Sequence, residues 1–327
     1  MKAMYCPKYG GPEVYRLMDV EQPIPSENEI LVEVYRSIVS PTDVNFRSGK
    51  PFVARLFSGL TKPKKTIHGE MFVGKVVQVG SGVTEFKVDD LVYGTNGMKL
   101  GAYAEYVAVD TKEAIKKVPN DIKYKDALPL LDGGITALPF LRELAKAKKG
   151  DTVLINGASG AVGSMAVMIA KHLGCHVTGV CSTNNVEAVM NVGADEVIDY
   201  TKEDFTQNKN TYDIIFDTVG KASYSKAKQA LTEHGLFITT VPTPGIMLQA
   251  LFKKNSTKRR ASFMAAGLRK PAQKISDLEY LEELIRNNEL TPLHGNEYPL
   301  SKLGEAQTYV ETGHKVGNVT VIVKKEA

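Results

Sequence analysis

Residues 154–175, LINGASGAVGSMAVMIAKHLGC, join an apolar run to an apolar helical pattern through a corner of glycines and other small residues. The apolar run Thr152–Asn156 predicts a buried strand, and the pattern after the corner predicts a helix over about 161–173. The run His176–Cys181 predicts a second strand. Strand, tight corner, helix and strand in this order are typical of a βαβ unit in a parallel sheet.

The corner itself, GASGAVG at 157–163, matches most of a dinucleotide-binding fingerprint. Ala158 stands where the fingerprint has its first glycine, and Gly160 and Gly163 take the other two places. A bare backbone at Gly160 lets a pyrophosphate approach, and Gly163 lets the helix pack close to the strand. The free N–H groups and the positive end of the helix then favour the anion. The alternative is a tight turn whose small residues serve packing alone.

The end of the second strand indicates which dinucleotide is bound. An NAD site usually has an acidic residue there that binds the ribose 2′-hydroxyl. Residues 179–186 contain no Asp or Glu, and the first carboxylate is Glu187. Ser182, Thr183 and Asn185 can donate hydrogen bonds to a 2′-phosphate, so the sequence favours NADP(H) over NAD(H). They can equally be the ordinary polar end of a strand.

Composition narrows the class of protein. The chain has 327 residues, of which 43% are hydrophobic and 24% charged, as in ordinary soluble domains. The net charge of +4 is too small to argue for nucleic-acid binding. Three cysteines without a CxxC pair fit a reducing compartment. With no signal-peptide core and no apolar run of membrane-spanning length, we expect a cytoplasmic protein with no membrane partner.

Two regions with different patterns make up the rest of the chain. The first third alternates like half-buried strands, at 30–35, 74–79 and 103–109. From about residue 122, strands alternate with helices, and the pattern predicts a helix over 224–231 and a strand over 236–241. An amphipathic helix is predicted over 277–286 and a last strand over 318–323. The predicted fold class is α/β, with a doubly wound parallel sheet.

Several longer motifs resemble one known family. They are SPTDVNFRSGKPF, HGEMFVGKVVQVGSGVTEFKVDDLVYG, GDTVLINGASGAVGSMAVMIAKHLGCHVTGVCST, VGADEVIDYTKEDF and YDIIFDTVG. Together they resemble the medium-chain dehydrogenase/reductase superfamily, in its zinc-free quinone oxidoreductase branch. The resemblance implies a GroES-like β domain from 1–121 and 266–327 and a Rossmann domain from 122–265. It further implies coenzyme and substrate in the cleft between them, and a homodimer.

Zinc ligands are missing from the expected places. Zinc enzymes of this superfamily have a cysteine where this chain has Ser40, and a histidine in a Gly-His-Glu triplet. Here the triplet is His-Gly-Glu, which displaces His68 by one position. Residues 91–110, which match the second zinc site, contain no cysteine. Since tetrahedral zinc needs three or four such ligands, we expect no metal.

Hydride transfer to an electron-poor acceptor depends less on a metal Lewis acid than alcohol oxidation does. The predicted activity is therefore NADP(H)-dependent reduction of a quinone or an α,β-unsaturated carbonyl. The resemblance places Asp43 and Thr42 beside the nicotinamide and substrate, and Phe46 can stack on an aromatic acceptor. Asp43 can instead be a helix-capping residue. The coenzyme contacts that the residues and the resemblance imply are Thr136, Ser159, Gly160, Ala161, Val162, Gly163, Ser182, Thr183, Asn185, Tyr200, Val219, Gly220, Phe263, Met264 and Asn318. For Phe263 and Met264, core packing is an equal alternative.

Other functions stay open. One is a reductase or dehydrogenase for ordinary aldehydes and alcohols. Another is a non-catalytic NADP-binding redox sensor, or a nucleic-acid binder that uses the stretch 234–276, which has eight Lys and Arg residues and no acidic residue. A solvated surface explains that stretch more simply, and we expect no nucleic-acid partner.

Overall fold

The computed structural model describes residues 1–52, 55–252 and 258–324. The chain divides into two compact units. Unit 1 comprises Met1–Asp132, Pro271–Ser276 and His294–Ala327, and unit 2 comprises Gly133–Lys270 and Asp277–Leu293. The sequence-based division at 121/122 and 265/266 stays a prediction.

Unit 1 is built on an open, mostly antiparallel sheet. Its strands are β1 (Lys2–Tyr5), β2 (Arg16–Asp19), β3 (Glu29–Val39), β4 (Met71–Val79), β5 (Leu91–Thr95), β6 (Tyr106–Asp110), β7 (Ile115–Lys117), β14 (His294–Pro299) and β15 (Asn318–Ile322). Its short helices are α1 (Pro41–Ser48), α2 (Arg55–Ser58), α3 (Tyr124–Ala127) and α10 (Leu303–Glu311). Among the described residues, the main sheet has the order β14-β15-β3-β4-β5-β7, with β6 paired to β3, and β1 pairs with β2.

Unit 2 alternates strands with helices. Its strands are β8 (Thr152–Asn156), β9 (His176–Cys181), β10 (Glu196–Asp199), β11 (Tyr212–Asp217), β12 (Leu231–Thr239) and β13 (Arg260–Phe263). Its helices are α4 (Gly133–Pro139), α5 (Ala161–His172), α6 (Val186–Asn191), α7 (Tyr224–Ala227) and α8 (Pro244–Phe252), and α9 (Pro271–Arg286) begins in unit 1. The strands described form one sheet in the order β10-β9-β8-β11-β12-β13, and every neighbouring pair is parallel.

The predicted βαβ unit is confirmed. Strands β8 and β9 lie side by side, with Val153 opposite Val177, and α5 connects them. Helix α5 ends where Gly174 takes a positive φ of 79°, a conformation that favours glycine after the last helical turn. Strands β9 and β10 lie on one side of β8, and β11, β12 and β13 lie on the other. Right-handed crossover connections explain this order.

One element was predicted wrongly. The helix expected over 224–231 ends at Ala227, and β12 begins at Leu231, which lies opposite Tyr212 of β11. Ala227, Ala230 and Leu231 are all buried in the same apolar cluster. A short apolar run of this kind does not distinguish a helix from a buried strand by periodicity alone.

Helix α5 and the loop after β8 make a backbone contact that admits only glycine at position 163. A Cβ at this position would lie 2.0 Å from the carbonyl oxygen of Gly157. The nearest atom to a Cβ at Gly160 would be that same oxygen, at 3.5 Å, which is ordinary contact. The two glycines therefore have different structural roles, although they are only three positions apart.

We predict that Gly163→Ala destabilises the protein by about 1–3 kcal/mol, because the helix must move away from the strand. The matched control Gly160→Ala should cost less than about 1 kcal/mol, the scale of an N-cap exchange. Urea unfolding followed by circular dichroism measures both. Equal stability of the two variants would contradict the contact.

Candidate coenzyme and substrate site

The backbone of the 157–163 corner is shaped to accept an anion. Gly157 has a positive φ of 83°, and the N–H groups of Gly157 and Ala158 both donate to the Val180 carbonyl, each at 3.0 Å. Gly160 is the N-cap residue of α5 and has no side chain to accept from the first turn. The free N–H groups at this helix start therefore need an acceptor from elsewhere, and the helix dipole favours a negative one.

The predicted coenzyme contacts of unit 2 gather at one edge of the sheet. In a parallel sheet all carboxyl ends of the strands lie on the same side, so the residues that directly follow them are neighbours. Those that follow β8, β9, β10, β11 and β13 are Ser159 to Gly163, Ser182 to Asn185, Tyr200, Val219 with Gly220, and Met264. Phe263 is the last residue of β13 and packs on the main apolar cluster of the unit. Thr136 lies apart from these loops, within α4.

Two of these residues are bonded to each other. The Asn185 side-chain amide donates to Ser159 Oγ at 3.0 Å, and both side chains are buried. This bond ties the end of β9 to the 157–163 corner. Thr183, by contrast, is exposed and donates its hydroxyl to Asp199 at 2.6 Å.

Asp199 is a candidate site residue that the sequence did not single out. It ends β10, which pairs in parallel with β9, so its carboxylate lies beside the residues expected to meet the 2′-position of the adenosine ribose. The hydrogen bond from Thr183, together with those from Thr201, holds the pKa of Asp199 below its ordinary value, so the group is ionised. The stretch after β9 has no carboxylate of its own, but the neighbouring strand supplies one.

Asp217, at the end of β11, was also missed. Its buried carboxylate accepts from the Asn156 side chain at 2.9 Å and from the backbone N–H groups of Val219, Gly220 and Ala222 at 3.1–3.2 Å. Burial raises the pKa of Asp217, although these donors oppose the shift. A single side chain thus shapes the loop that carries two of the predicted contacts. A lone Asp directly after a buried strand was the available signal.

In unit 1, helix α1 begins with a complete capping box. Ser40 Oγ accepts from the Asp43 N–H at 3.3 Å, and Asp43 Oδ2 accepts from the Ser40 N–H at 2.9 Å and from its hydroxyl at 2.7 Å. Only 4% of Asp43 is exposed. The observed geometry is that of the capping alternative, and a direct catalytic role for Asp43 stays a prediction.

Asp43 holds its helix so that the other two predicted residues reach the surface. Thr42, in the first turn, is exposed, and Phe46, one turn later, is half-buried. On the inner side, the fully buried Arg47 pairs with Glu311 of α10 and donates to the Gly10 carbonyl at 3.2 Å. Burial raises the pKa of Asp43 to about 6.

His68 is a buried, hydrogen-bonded core residue. Its Nδ1 lies 2.9 Å from the Tyr15 hydroxyl, which also accepts from the Gln307 side chain at 3.1 Å. Burial lowers the pKa of His68 to about 4, so the ring is neutral near pH 7. Gly69 has a φ of 87°, and a Cβ there would meet Tyr103 at 2.7 Å.

Two further carboxyl groups of unit 1 are withdrawn from water. Burial raises the pKa of Glu70 to about 7, against the opposing charge of Lys274. Burial also raises the pKa of Asp132, which accepts from the Asn318 side-chain amide at 2.9 Å. The predicted coenzyme contact Asn318 therefore already has a partner within its own unit.

The basic stretch 234–276 uses its described arginines to hold the fold. Arg269 pairs with Glu143 at 2.7 Å and with Asp277 at 3.0 Å, and Arg259 donates to the Leu231 carbonyl at 2.9 Å. Lys253 and Lys254 lie outside the described residues. The arginine contacts support the structural explanation of this stretch over a polyanion site.

Two family models match the chain. The first, described as "Alcohol dehydrogenase GroES-like domain", matches residues 26–120, and the second, "Zinc-binding dehydrogenase", matches residues 192–321. A relative in Arabidopsis thaliana, the "Chloroplast envelope quinone oxidoreductase homolog", is 30% identical over 98% of both chains. The chain belongs to the medium-chain dehydrogenase/reductase superfamily, in its quinone oxidoreductase-like branch. The GroES-like and Rossmann folds expected for this superfamily are confirmed.

Two other members of the superfamily are similar over nearly the whole chain. The "NADPH-dependent alkenal/one oxidoreductase, chloroplastic" of Arabidopsis thaliana is 29% identical over 98% of this chain and 79% of its own length. The structure of the quinone oxidoreductase from Coxiella burnetii is 29% identical over 99% of both chains, with a TM-score of 0.86. In the part of the chain that is described, no helix has the length and apolarity needed to cross a bilayer.

The raised pKa of Asp43 predicts a pH dependence of stability. Between about pH 4 and 6 the folded protein keeps a proton on Asp43 that the unfolded chain has lost, since the ordinary pKa is 3.8. The free energy of unfolding of wild type therefore falls as the pH rises through this window. Relative to wild type, Asp43→Asn should gain up to about 3 kcal/mol between pH 4 and 7, at 1.36 kcal/mol per pKa unit.

Denaturant titrations at several pH values measure this difference. Buried groups whose pKa does not depend on the Asp43 charge, such as His68, titrate in both proteins and cancel in the comparison. Asp89→Asn, on an exposed turn, is the control and should follow wild type. A constant gap between Asp43→Asn and wild type would show that Asp43 is not desolvated.

Proposed function

We propose that this protein is a zinc-independent, NADPH-dependent oxidoreductase that reduces a quinone or an α,β-unsaturated carbonyl. The observation that carries the proposal is the 157–163 corner, where a glycine N-cap leaves the helix start without a side-chain acceptor at the carboxyl edge of a parallel sheet. The names of the relatives agree with this activity. A passive packing turn does not require an uncapped helix start.

In the proposed mechanism the N–H groups at the start of α5 bind the pyrophosphate, and Gly160 allows its approach. Ser182, Thr183 and Asn185 bind the adenosine ribose, and the Asp217-shaped loop places Val219 and Gly220 beside the coenzyme. When bound, NADPH supplies the hydride. In unit 1, Asp43 fixes the start of α1, and α1 presents Thr42 and Phe46 to the acceptor. The Thr42 hydroxyl is exposed and can hand on a proton from solvent to the reduced oxygen.

The donor set supports a reaction without zinc. The Ser40 hydroxyl is used in the capping box, His68 Nδ1 is bonded to Tyr15, and Gly69 has no room for a side chain. These positions do not fit a tetrahedral zinc site with a cysteine and a histidine ligand. A zinc-dependent alcohol dehydrogenase is the second candidate, because one matching family model carries a zinc-binding description.

A cytoplasmic homodimer completes the proposal. Strand β13 is the last strand at one edge of the described parallel sheet, and an edge strand can pair with a second copy. Burial raises the pKa of the three cysteine thiols to about 11, which suits cysteines that stay reduced. Size-exclusion chromatography with light scattering tests the dimer.

The activity test is an acceptor panel with the metal content measured in parallel. We expect NADPH oxidation with quinones and enones, no oxidation of simple alcohols, and no change after chelation. Gly160→Val should lose NADPH binding, because its side chain stands where the pyrophosphate approaches. Stoichiometric zinc with alcohol oxidation would establish the second candidate. Tight NADPH binding without turnover of any acceptor would favour a redox sensor.

Asp199 predicts a change in coenzyme preference. Its ionised carboxylate repels a 2′-phosphate and accepts from a 2′-hydroxyl, so Asp199→Asn should raise the preference for NADPH over NADH several-fold. Nicotinamide fluorescence titrations with both coenzymes give the ratio. Glu203→Gln, an exposed neutralisation four residues away, is the control and should leave the ratio unchanged. An unchanged ratio in Asp199→Asn would place the adenosine ribose elsewhere.

A further inference from the structure

One surface of unit 1 combines apolar side chains with positive charge and is used by nothing described above. We call the described residues 50–52 and 55–65 the flap; it follows α1 and contains the short helix α2. Phe52, Leu56 and Leu60 have exposed fractions of 67%, 61% and 60%. Three large, exposed apolar side chains within nine residues of sequence are more than scattered single exposures and suggest an interaction site.

Exposed lysines flank these side chains in the sequence. Lys50, Lys62, Lys64 and Lys65 are all exposed, and none of them forms an ion pair with a carboxylate among the described residues. The sequence has no Asp or Glu between Asp43 and Glu70. Exposed apolar side chains together with exposed lysines and no carboxylate are the composition of segments that insert shallowly into the headgroup region of anionic bilayers.

The flap is held from below by contacts within unit 1. The Tyr9 hydroxyl bonds to Ser58 Oγ at 2.8 Å, and Arg55 lies over the Tyr9 ring at 4.7 Å from its centre. Arg55 also donates to the Gly49 carbonyl at 3.1 Å, and the Lys64 N–H donates to the Ser58 carbonyl at 2.7 Å. These contacts fix Arg55, Ser58 and Lys64 on unit 1, while Phe52, Leu56 and Leu60 stay exposed.

We propose that the flap binds the surface of an anionic lipid bilayer. Charge complementarity selects this partner, because the lysines match anionic headgroups while the three apolar side chains gain a place in the acyl boundary. A nucleic acid would match only the charge. The expectation of no membrane partner rested on the lack of a spanning segment, and surface binding requires none.

If the proposed function holds, this surface also brings the protein close to acceptors that are dissolved in the bilayer. Gly49 ends α1, so the flap continues from the helix that presents Thr42 and Phe46. Quinones and enones with long apolar tails reside in bilayers. A flap at the bilayer surface would place the substrate-side helix where such acceptors leave the lipid.

The binding test uses the full chain, without coenzyme or quinone, and sedimentation with lipid vesicles. At about 0.1 M salt we expect binding to phosphatidylcholine vesicles with about 30% phosphatidylserine, and at least about 10-fold weaker binding to pure phosphatidylcholine. Lys62→Glu/Lys64→Glu/Lys65→Glu and Phe52→Ser/Leu56→Ser/Leu60→Ser should each weaken partitioning by about 10-fold or more.

Two controls match these variants in type of change. Lys209→Glu/Lys226→Glu/Lys228→Glu reverses three exposed lysines of unit 2, and Ile24→Ser removes an 81% exposed apolar side chain between acidic neighbours. Both should bind vesicles like wild type, and thermal midpoints verify that all variants fold. The proposal is overturned if wild type does not bind anionic vesicles, or if the flap variants bind as well as wild type.

Turnover of a short, water-soluble quinone is measured separately. Turnover without vesicle binding overturns the flap proposal alone and points to an acidic protein as its partner. Vesicle binding without turnover of any acceptor leaves the flap proposal standing and overturns the proposed function.

Discussion

The carbonyl oxygen of Gly157 lies so close to α5 that position 163 has room for a hydrogen atom and nothing larger. This contact sets how near the helix start comes to the end of β8. It also fixes the direction in which the first N–H groups of the helix point. The hydrogen bonds from the Gly157 and Ala158 N–H groups to the Val180 carbonyl then hold the same loop against β9, so backbone contacts fix the corner on both sides. Side chains can vary there only where they face away from the helix.

In unit 1, hydrogen bonds and an ion pair made by buried polar groups hold the elements together. Asp43, Asp132, His68 and Arg47 are all nearly inaccessible, and each has at least one hydrogen-bond partner. Desolvation shifts the pKa values of the two carboxyl groups upward and that of the imidazole downward, so each shift favours the neutral form. At pH 7 the imidazole is neutral, whereas Asp43, with a pKa of about 6, is largely ionised and is held by the Ser40 N–H and hydroxyl. The buried Arg47 is paired with Glu311.

Sequence patterns correctly predicted the elements whose secondary structure depends on nearby residues. Strand β8, helix α5 and strand β9 have regular apolar periods, and the run Pro41–Thr42–Asp43 was sufficient to suggest a helix cap, although the N-cap is Ser40 and Asp43 is the third helical residue. The helix expected over 224–231 was wrong because the strand conformation of Leu231 depends on its pairing with β11, a non-local contact. Arg47 meets a partner 264 positions away, and Asp199 reaches Thr183 from a neighbouring strand. Proximity of this kind follows from the order of strands and not from sequence spacing.

Asp199 ends β10, whereas Gly160 precedes α5. In the proposed function, the residues that bind the pyrophosphate are therefore separate from the residue that meets the ribose 2′-position. In the proposed function the glycine corner binds the pyrophosphate, which NADH and NADPH share, and the carboxylate of Asp199 lies near the ribose 2′-position, where they differ. Exchanges at position 199 leave the close backbone contact of α5 intact. Under the proposed function, a lineage with this architecture can change its coenzyme preference by substitutions at position 199, away from the backbone contact that fixes α5.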